Sequence, residues 1–160
     1  MNHQERLLDL MENFRTAMLV TRQGDDEMTS RPMAVADLSE NGEMWFVTSK
    51  RSCKVDEIGH HSVVLVTFQN SSQFVSVSGV AQVIDDPAKI DELWSESWKI
   101  WFPEGKDDPD LTLLHVTPTG GEYWDNSGLK GLKYLVKAGI AYMQGEQMST
   151  SDDVNASVEM

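Results

Sequence analysis

The sequence has one cysteine, few cations and no long apolar run, and each shortage excludes a class of protein. The single cysteine among its 160 residues, Cys53, cannot form an internal disulfide or a cysteine-based zinc site. No apolar stretch approaches the roughly 20 residues that cross a bilayer. The charged first segment, Met1 to Phe14, lacks the apolar core of a signal peptide. We therefore expect a cytoplasmic protein without a membrane partner.

Positive charge is scarce throughout the chain. Lys and Arg number 13 against 26 Asp and Glu, which gives a formal net charge of -13. Such a surface repels nucleic acid and anionic membranes, whose protein partners neutralise phosphates with Lys and Arg. A composition of 40% apolar and 24% charged residues is that of an ordinary globular protein, and the length suits one domain. We predict no nucleic-acid partner.

The common catalytic motifs are also missing. Neither a glycine-rich dinucleotide fingerprint nor a P-loop is present. The pair His60-His61 lacks the intervening Glu of a zinc protease, so we predict an exposed helix end and no metal site. No serine has the small-residue elbow of a hydrolase. Because no residue stands out as a general acid or base, the catalytic residues stay unassigned.

Apolar spacing predicts helices at two places and short strands elsewhere. Leu7, Leu10, Met11 and Phe14 follow helical spacing, as do the apolar residues from Ile90 to Trp101. A further brief helix is predicted within 50–60. Strands are predicted at 17–21, 28–35, 44–48, 63–68, 74–84, 113–116 and 122–124, with a bend at Gly79 and a turn over 117–121.

Strands that follow one another without long helices pair antiparallel, and enough of them close into a barrel. We therefore predict an α+β fold, mainly β with peripheral helices, in which an antiparallel barrel occupies residues 1–144. Residues 145–160 are small and polar and hold four acids without a cation. That composition predicts a disordered acidic tail.

One local reversal of charge stands out against the acidic background. Lys50, Arg51 and Lys54 lie within five residues, with Ser49 and Ser52 beside them. On the meander prediction, Arg31 belongs to the neighbouring strand. Cations, hydroxyls and the amides of a helix start together form a receptor for a phosphate dianion. The alternative is that these cations form a solvated charged face or pair with nearby acids, because most charge runs have no ligand.

Several short stretches, in this order and spacing, resemble one known family. They are Ser30-Arg31-Pro32-Met33, Met44 to Ser49, Ser52-Cys53-Lys54 and Val63 to Phe68. Together they resemble the flavin-binding core of the pyridoxamine 5'-phosphate oxidase-like proteins. The run Trp101 to Pro109 and the segment Glu122 to Asp125 are similar to the branch called general stress protein 26. The resemblance extends over 7–125.

The resemblance implies a split β-barrel that forms a homodimer, with FMN in a cleft between the subunits. By position, Arg31 and Lys54 would hold the FMN phosphate, with Ser49 or Ser52 nearby. The other positions that the resemblance places against the cofactor are Pro32, Met33, Ala34, Val35, Val47, Thr48 and Gln73.

The sequence departs from true pyridoxamine phosphate oxidases at three places. Ala36 stands where those enzymes have a lysine for the substrate phosphate. Their mid-chain Tyr, Arg and Ser are absent from the segment that here carries three tryptophans, and nothing after Trp124 matches their C-terminal arginine-histidine element. These departures argue against pyridoxal phosphate synthesis.

The tryptophans allow two interpretations. On the simpler interpretation, Trp94, Trp98 and Trp101, which fall at helical spacing, form a stripe that faces the core or a dimer partner. On the other, Trp101 or Trp124 flanks the isoalloxazine ring or closes the pocket over it.

Two functions of different kinds are consistent with these residues. The first is an FMN-dependent oxidoreductase that acts on an unknown small molecule, with the redox chemistry supplied by the flavin. The second is a flavin carrier or sensor without turnover, which acts through a partner protein. A deazaflavin F420 or haem relative is a third hypothesis.

Overall fold

The computed structural model describes residues 1–145 and 155–160. Its helices and strands, in chain order, are α1 (His3–Met11), β1 (Thr16–Gln23), β2 (Glu27–Leu38), β3 (Met44–Ser49), α2 (Cys53–His60), β4 (Val63–Gln69), β5 (Gln73–Ile84), α3 (Pro87–Leu93), β6 (Leu111–Asp125), α4 (Gly128–Gln144) and β7 (Asn155–Glu159). Two short 3-10 helices, Glu96–Ile100 and Gly105–Asp107, lie between α3 and β6.

Six strands form a closed antiparallel barrel. They are hydrogen-bonded in the order β3-β2-β1-β4-β5-β6, and β6 pairs back onto β3. Because the barrel closes, each of these six strands has a hydrogen-bonded neighbour on both sides, and the barrel has no open edge strand. The predicted fold class, mainly β with peripheral helices, is confirmed.

The barrel interior is apolar, and α1 covers one end of it. Leu7, Leu10 and Met11 on α1 are fully buried and pack into the core formed by the strands. The helix meets β6 at Gly121, where an added Cβ would lie 2.6 Å from Leu7 Cδ1. Glycine at 121 therefore lets α1 approach the sheet closely.

The predicted turn over 117–121 is wrong, because β6 runs unbroken from Leu111 to Asp125. Its partner β5 pairs along nearly the whole of β6, with one shift of register between Ser78 and Gly79. At that bulge an added Cβ on Gly79 would lie only 2.7 Å from the carbonyl oxygen of Thr117. The bend predicted at Gly79 is thus confirmed, and it allows one long strand where two were predicted.

The single tryptophan helix is also wrong. The helix α3 ends at Leu93, because Trp94 takes an extended conformation with ψ near 134°, and a separate 3-10 helix carries Trp98. The Trp94 indole contacts Trp98 edge-on, with ring centroids 5.6 Å apart. Trp98 is buried while Trp101 is 62% exposed, so the three rings do not form one stripe.

The tail prediction is wrong for Asn155–Glu159. These residues form β7, which pairs with β6 outside the barrel closure. Ala156 and Val158 pack against the barrel core, and this burial offsets the entropy lost when the strand forms. Positions 146–154 of the predicted tail lie outside the described residues.

The helix α4 carries an apolar row that the described part of the chain leaves uncovered. Its exposed apolar side chains include Leu132, Leu135, Val136, Ile140 and Met143. Their spacing places them on one face of the helix. None of the described helices combines the length and the apolar character needed to cross a membrane.

Candidate functional site

One cavity brings together the segments that the sequence predicts to bind a ligand. Its volume is about 700 Å³, within the usual range of about 300–1,000 Å³ for small-molecule pockets. The strands β2 and β3 form one wall, the start of α2 adds a cation, and the segment after the first 3-10 helix forms the opposite wall. The lining residues are Pro32, Met33, Ala34, Val47, Thr48, Ser49, Lys54, Ile100, Trp101, Phe102 and Asp110.

Most of the predicted site residues line this cavity. The structure brings together Pro32, Met33, Ala34, Val47, Thr48, Ser49, Lys54 and Trp101, which come from four separate segments. Sequence reasoning missed Ile100, Phe102 and Asp110. The register of β3 against β6 pairs Ser49 with Leu111 and so brings Asp110 to the cavity. That neighbour relation becomes visible only once the barrel closes.

The ammonium of Lys54 is held at the cavity by two hydroxyls. It donates to Thr48 Oγ1 at 3.0 Å and to Ser52 Oγ at 2.6 Å. A lysine ammonium has three N–H donors, so one N–H has no partner among the described residues. Burial lowers the pKa of Lys54, and the positive charge of Arg31 lowers it further. The site therefore holds two cations close together, which favours an anion beside them.

The guanidinium of Arg31 is not part of the cavity lining. It donates through Nη2 to Glu57 Oε2 at 2.9 Å and through Nη1 to the hydroxyl of Thr21. Its side chain is 20% exposed. Because an arginine has five N–H donors, these bonds leave three N–H groups for a ligand. Arg31 is near enough to Lys54, which lines the cavity, to lower the pKa of that lysine.

The two serines near the cation cluster have different partners. Ser49 donates to Asp110 Oδ2 at 2.6 Å, and Arg51 donates through Nε to Asp110 Oδ1 at 3.1 Å. The hydrogen bonds from Arg51 and Ser49 lower the pKa of Asp110, which is therefore a carboxylate at neutral pH. Ser52 is the serine beside Lys54, and it makes no side-chain bond that caps α2.

Three predicted residues lie away from the cavity. Val35 packs against the barrel core. Gln73 donates to Asp125 Oδ1 at 3.3 Å, and Trp124 lies opposite Phe74 near the far end of β6. Because Leu111 pairs with Ser49 at the cavity, Trp124 is separated from it by about 40 Å of strand. A flavin contact by Gln73 or Trp124 stays a prediction.

The cavity is lined by apolar side chains and by two charged ones. Met33, Val47 and Phe102 are buried apolar side chains, and the exposed Trp101 forms the lip. Lys54 supplies a positive charge to the lining and Asp110 a negative one. Such a surface suits a flat apolar ligand that carries an anionic group. Among the described residues, no three His, Cys, Asp or Glu side chains are placed to hold a metal ion.

Comparison with known proteins identifies the family. The family described as pyridoxamine 5'-phosphate oxidase like matches residues 2–149, nearly the whole chain. The chain therefore belongs to this family, and the resemblance of its sequence motifs is confirmed.

Among individual relatives, general stress protein 26 of Bacillus subtilis is 28% identical over 126 residues, which cover 74% of this chain and 87% of the relative. The solved structure of the general stress FMN/FAD binding protein from Xanthomonas citri is 30% identical, covering 78% of this chain and 89% of that one, with a TM-score of 0.67. General stress protein 26 of Bacillus anthracis shares the fold with a TM-score of 0.68 at 23% identity, over 77% of this chain and 94% of that one.

Proposed function

We propose that this protein binds FMN in the cavity between β2, β3 and the start of α2, and that it is a flavin-dependent oxidoreductase acting on a small molecule. The observation that carries the proposal is a largely apolar cavity lined by Lys54, with a second cation, Arg31, close to that lysine. The name of the Xanthomonas citri relative, an FMN/FAD binding protein, supports a flavin as the ligand.

The residues present fit a phosphorylated flavin. Lys54 has one N–H left for a phosphate oxygen after its bonds to Thr48 and Ser52, and Arg31 has three after its bonds to Thr21 and Glu57. The apolar side chains of Met33 and Val47 would lie against the ring system. The carboxylate of Asp110 would repel a phosphate, which favours placing that group on the Lys54 side.

Bound FMN would supply the electron or hydride transfer, and the protein would bind and orient it. The titratable side chains that line the cavity are Lys54 and Asp110, and both are held by other protein groups. Neither stands out as a general acid or base, so we propose no catalytic residue. This same observation favours a second candidate, a flavin carrier or sensor without turnover.

Absorption spectroscopy of the purified protein tests the proposal. We expect a yellow protein with flavin bands, or a colourless one that takes up added FMN. Anaerobic addition of NADH or NADPH then separates the two candidates, since bleaching supports a reductase. Colour that persists with both donors favours the carrier. A protein that takes up no FMN refutes both, and parallel titrations with FAD, F420 and haem identify a different cofactor.

A homodimer is part of the proposal, and the exposed apolar row of α4 supports it. Large apolar side chains in one contiguous row, including Leu132, Leu135 and Val136, are typical of an interaction surface. The chain carries a net charge of -13, whereas α4 holds three lysines and no acid. That difference favours a second copy of the acidic barrel as the partner of α4.

Light scattering after size-exclusion chromatography tests the homodimer. We expect a particle of twice the 18.0 kDa chain mass. The variant Leu135→Glu, which places a carboxylate in the apolar row, should be monomeric. Gln144→Glu adds the same charge beside the row and should remain dimeric. A monomeric wild type refutes the homodimer, and a dimeric Leu135→Glu protein shows that α4 is not the contact.

A further inference from the structure

Glu57 is a nearly buried carboxylate that sequence reasoning did not include in the site. It lies on α2, and its side chain is 9% exposed. It accepts hydrogen bonds from Arg31 Nη2 at 2.9 Å and from the Thr21 hydroxyl, with the Thr29 hydroxyl at 3.5 Å. Burial of a carboxylate is unfavourable unless such partners compensate it. Burial alone would raise the pKa of Glu57. The hydrogen bonds from Thr21 and Arg31 outweigh this effect and lower the pKa, so they compensate the burial of the carboxylate.

These contacts form a closed triangle around the guanidinium of Arg31. Arg31 donates hydrogen bonds to both Thr21 and Glu57, and the Thr21 hydroxyl donates a hydrogen bond to Glu57. Thr21 is fully buried on β1, so it holds the triangle to the barrel wall. A guanidinium fixed at two nitrogens has lost its freedom before a ligand arrives, which reduces the entropy cost of binding.

The helix α2 connects this triangle to the cavity. Lys54 and Glu57 are three residues apart on α2 and so lie on the same side of the helix. Lys54 lines the cavity, and Glu57 holds Arg31 next to it. With two cations and one carboxylate, the cluster keeps one net positive charge, and Glu57 offsets the repulsion between Arg31 and Lys54.

On the basis of the flavin site proposed above, we propose that Glu57 is a positioning residue that fixes Arg31 beside Lys54, so that the two cations together receive the phosphate of FMN. Glu57 does not itself contact the phosphate, because a carboxylate and a phosphate are both negatively charged and repel each other. Its role is to orient the three N–H groups of Arg31 that the triangle leaves without a partner.

The direction in which FMN affinity changes in Glu57→Gln separates a positioning role from a purely electrostatic one. A carboxylate near a dianion is unfavourable in itself, so if Glu57 acted only by its charge, Glu57→Gln would tighten FMN. If Glu57 positions Arg31, the same variant weakens FMN. Riboflavin has the same ring and ribityl chain without the phosphate, so its affinity reports the rest of the pocket.

The experiment measures the dissociation constants of FMN and riboflavin by quenching of flavin fluorescence. For Glu57→Gln we expect the preference for FMN over riboflavin to fall by about three- to tenfold, the effect of releasing one ordered side chain, with riboflavin affinity unchanged within twofold. Asp56→Asn is the matched control, because it removes one charge from the exposed neighbouring position. That control should leave the preference unchanged or slightly raise it.

Two further variants exclude a merely structural role. Thr21→Val removes the other anchor of Arg31 with almost the same shape, and it should lower the FMN preference in the same way if Glu57→Gln does not fold. In an Arg31→Ala background, Glu57→Gln should lower the preference no further, because its effect passes through Arg31.

The outcomes keep the two proposals distinct. A wild-type protein that binds FMN no tighter than riboflavin refutes the phosphate site itself. If the wild type prefers FMN but Glu57→Gln keeps or increases that preference, the flavin site stands and the positioning role of Glu57 is wrong. An equal loss for FMN and riboflavin in Glu57→Gln, or a further fall in the Arg31→Ala background, also overturns the positioning role.

Discussion

The substitution Lys54→Met is the most direct test of where the phosphate lies. Methionine keeps an unbranched side chain of similar length but removes the charge and all three N–H donors. Two of those donors bond to Thr48 and Ser52 within the protein, so one remains for the ligand. A hydrogen bond to a charged group contributes about 1.5–3 kcal/mol, and FMN should therefore bind about 10- to 100-fold more weakly.

Fluorescence titration with FMN and with riboflavin measures this effect. Riboflavin should bind Lys54→Met as it binds the wild type, within about twofold, because the lost contact is to the phosphate. Lys50→Met is the matched control. Lys50 carries the same charge nearby but pairs with Asp85 at 2.6 Å on the surface, and its loss should leave FMN affinity within about twofold of the wild type, since exposed ion pairs contribute little.

Two results would refute the placement of the phosphate at Lys54. The first is an unchanged FMN affinity in Lys54→Met. The second is an equal loss for FMN and riboflavin, which would mean that the substitution deforms the cavity. Loss of folding is not the expected outcome, because burial lowers the pKa of Lys54 and its charge is therefore a cost to the folded state.

Further predictions concern the lip of the cavity, the barrel and pH. Trp101→Ala should weaken FMN and riboflavin alike, by about two- to tenfold in the same titrations, since the indole would meet the ring and not the phosphate; a loss confined to FMN would contradict this. Gly79→Ala should lower the free energy of unfolding by about 1–3 kcal/mol in urea, because its Cβ would lie 2.7 Å from a backbone oxygen. Gly59→Ala, on α2 with open space around it, should instead stabilise by about 0.5–1 kcal/mol, and equal effects of the two would refute the close approach at Gly79. Glu57 has a pKa below its ordinary value of 4.5, so its contribution to stability is present above that pH and is lost as pH falls through the lowered value. On acidification, Glu57→Gln should therefore lose less free energy of unfolding than the wild type. An equal loss of stability in the two proteins would argue against the buried hydrogen bonds of Glu57. FMN affinity should fall as pH rises through the pKa of Lys54, which lies below its ordinary 10.5, and a flat profile up to pH 10.5 would contradict a charged Lys54 at the phosphate.

Local pattern predicts local structure well in this chain. The apolar spacing of Leu7, Leu10 and Met11 requires a helix with one buried face, and those residues are buried. Turn residues at Gly24 and Gly42, which have positive φ, mark the two hairpins that start the barrel. The charge cluster around Lys54 and the order of short motifs indicate the family and the position of the cavity, because these depend on residues that are near one another in sequence.

Errors arose where a local signal competed with long-range packing. The pair Gly120-Gly121 resembles a turn, yet its Cβ-free backbone serves the approach of Leu7 and the continuous pairing of β6 with β5. The weakly apolar segment Asn155–Glu159 resembles a disordered tail, but the edge of β6 supplies its hydrogen-bond partners.

The amino-acid sequence alone determined the class of fold, the family and the cation pair, since periodicity, motif order and local charge are properties of neighbouring residues. Tertiary structure decided what those cations contact. It joined Arg31 on β2 to Thr21 on β1 and Glu57 on α2, and it brought Asp110 beside Ser49 across β3 and β6. Barrel closure sets these contacts between residues distant in sequence, and nothing in the spacing of the chain specifies them individually.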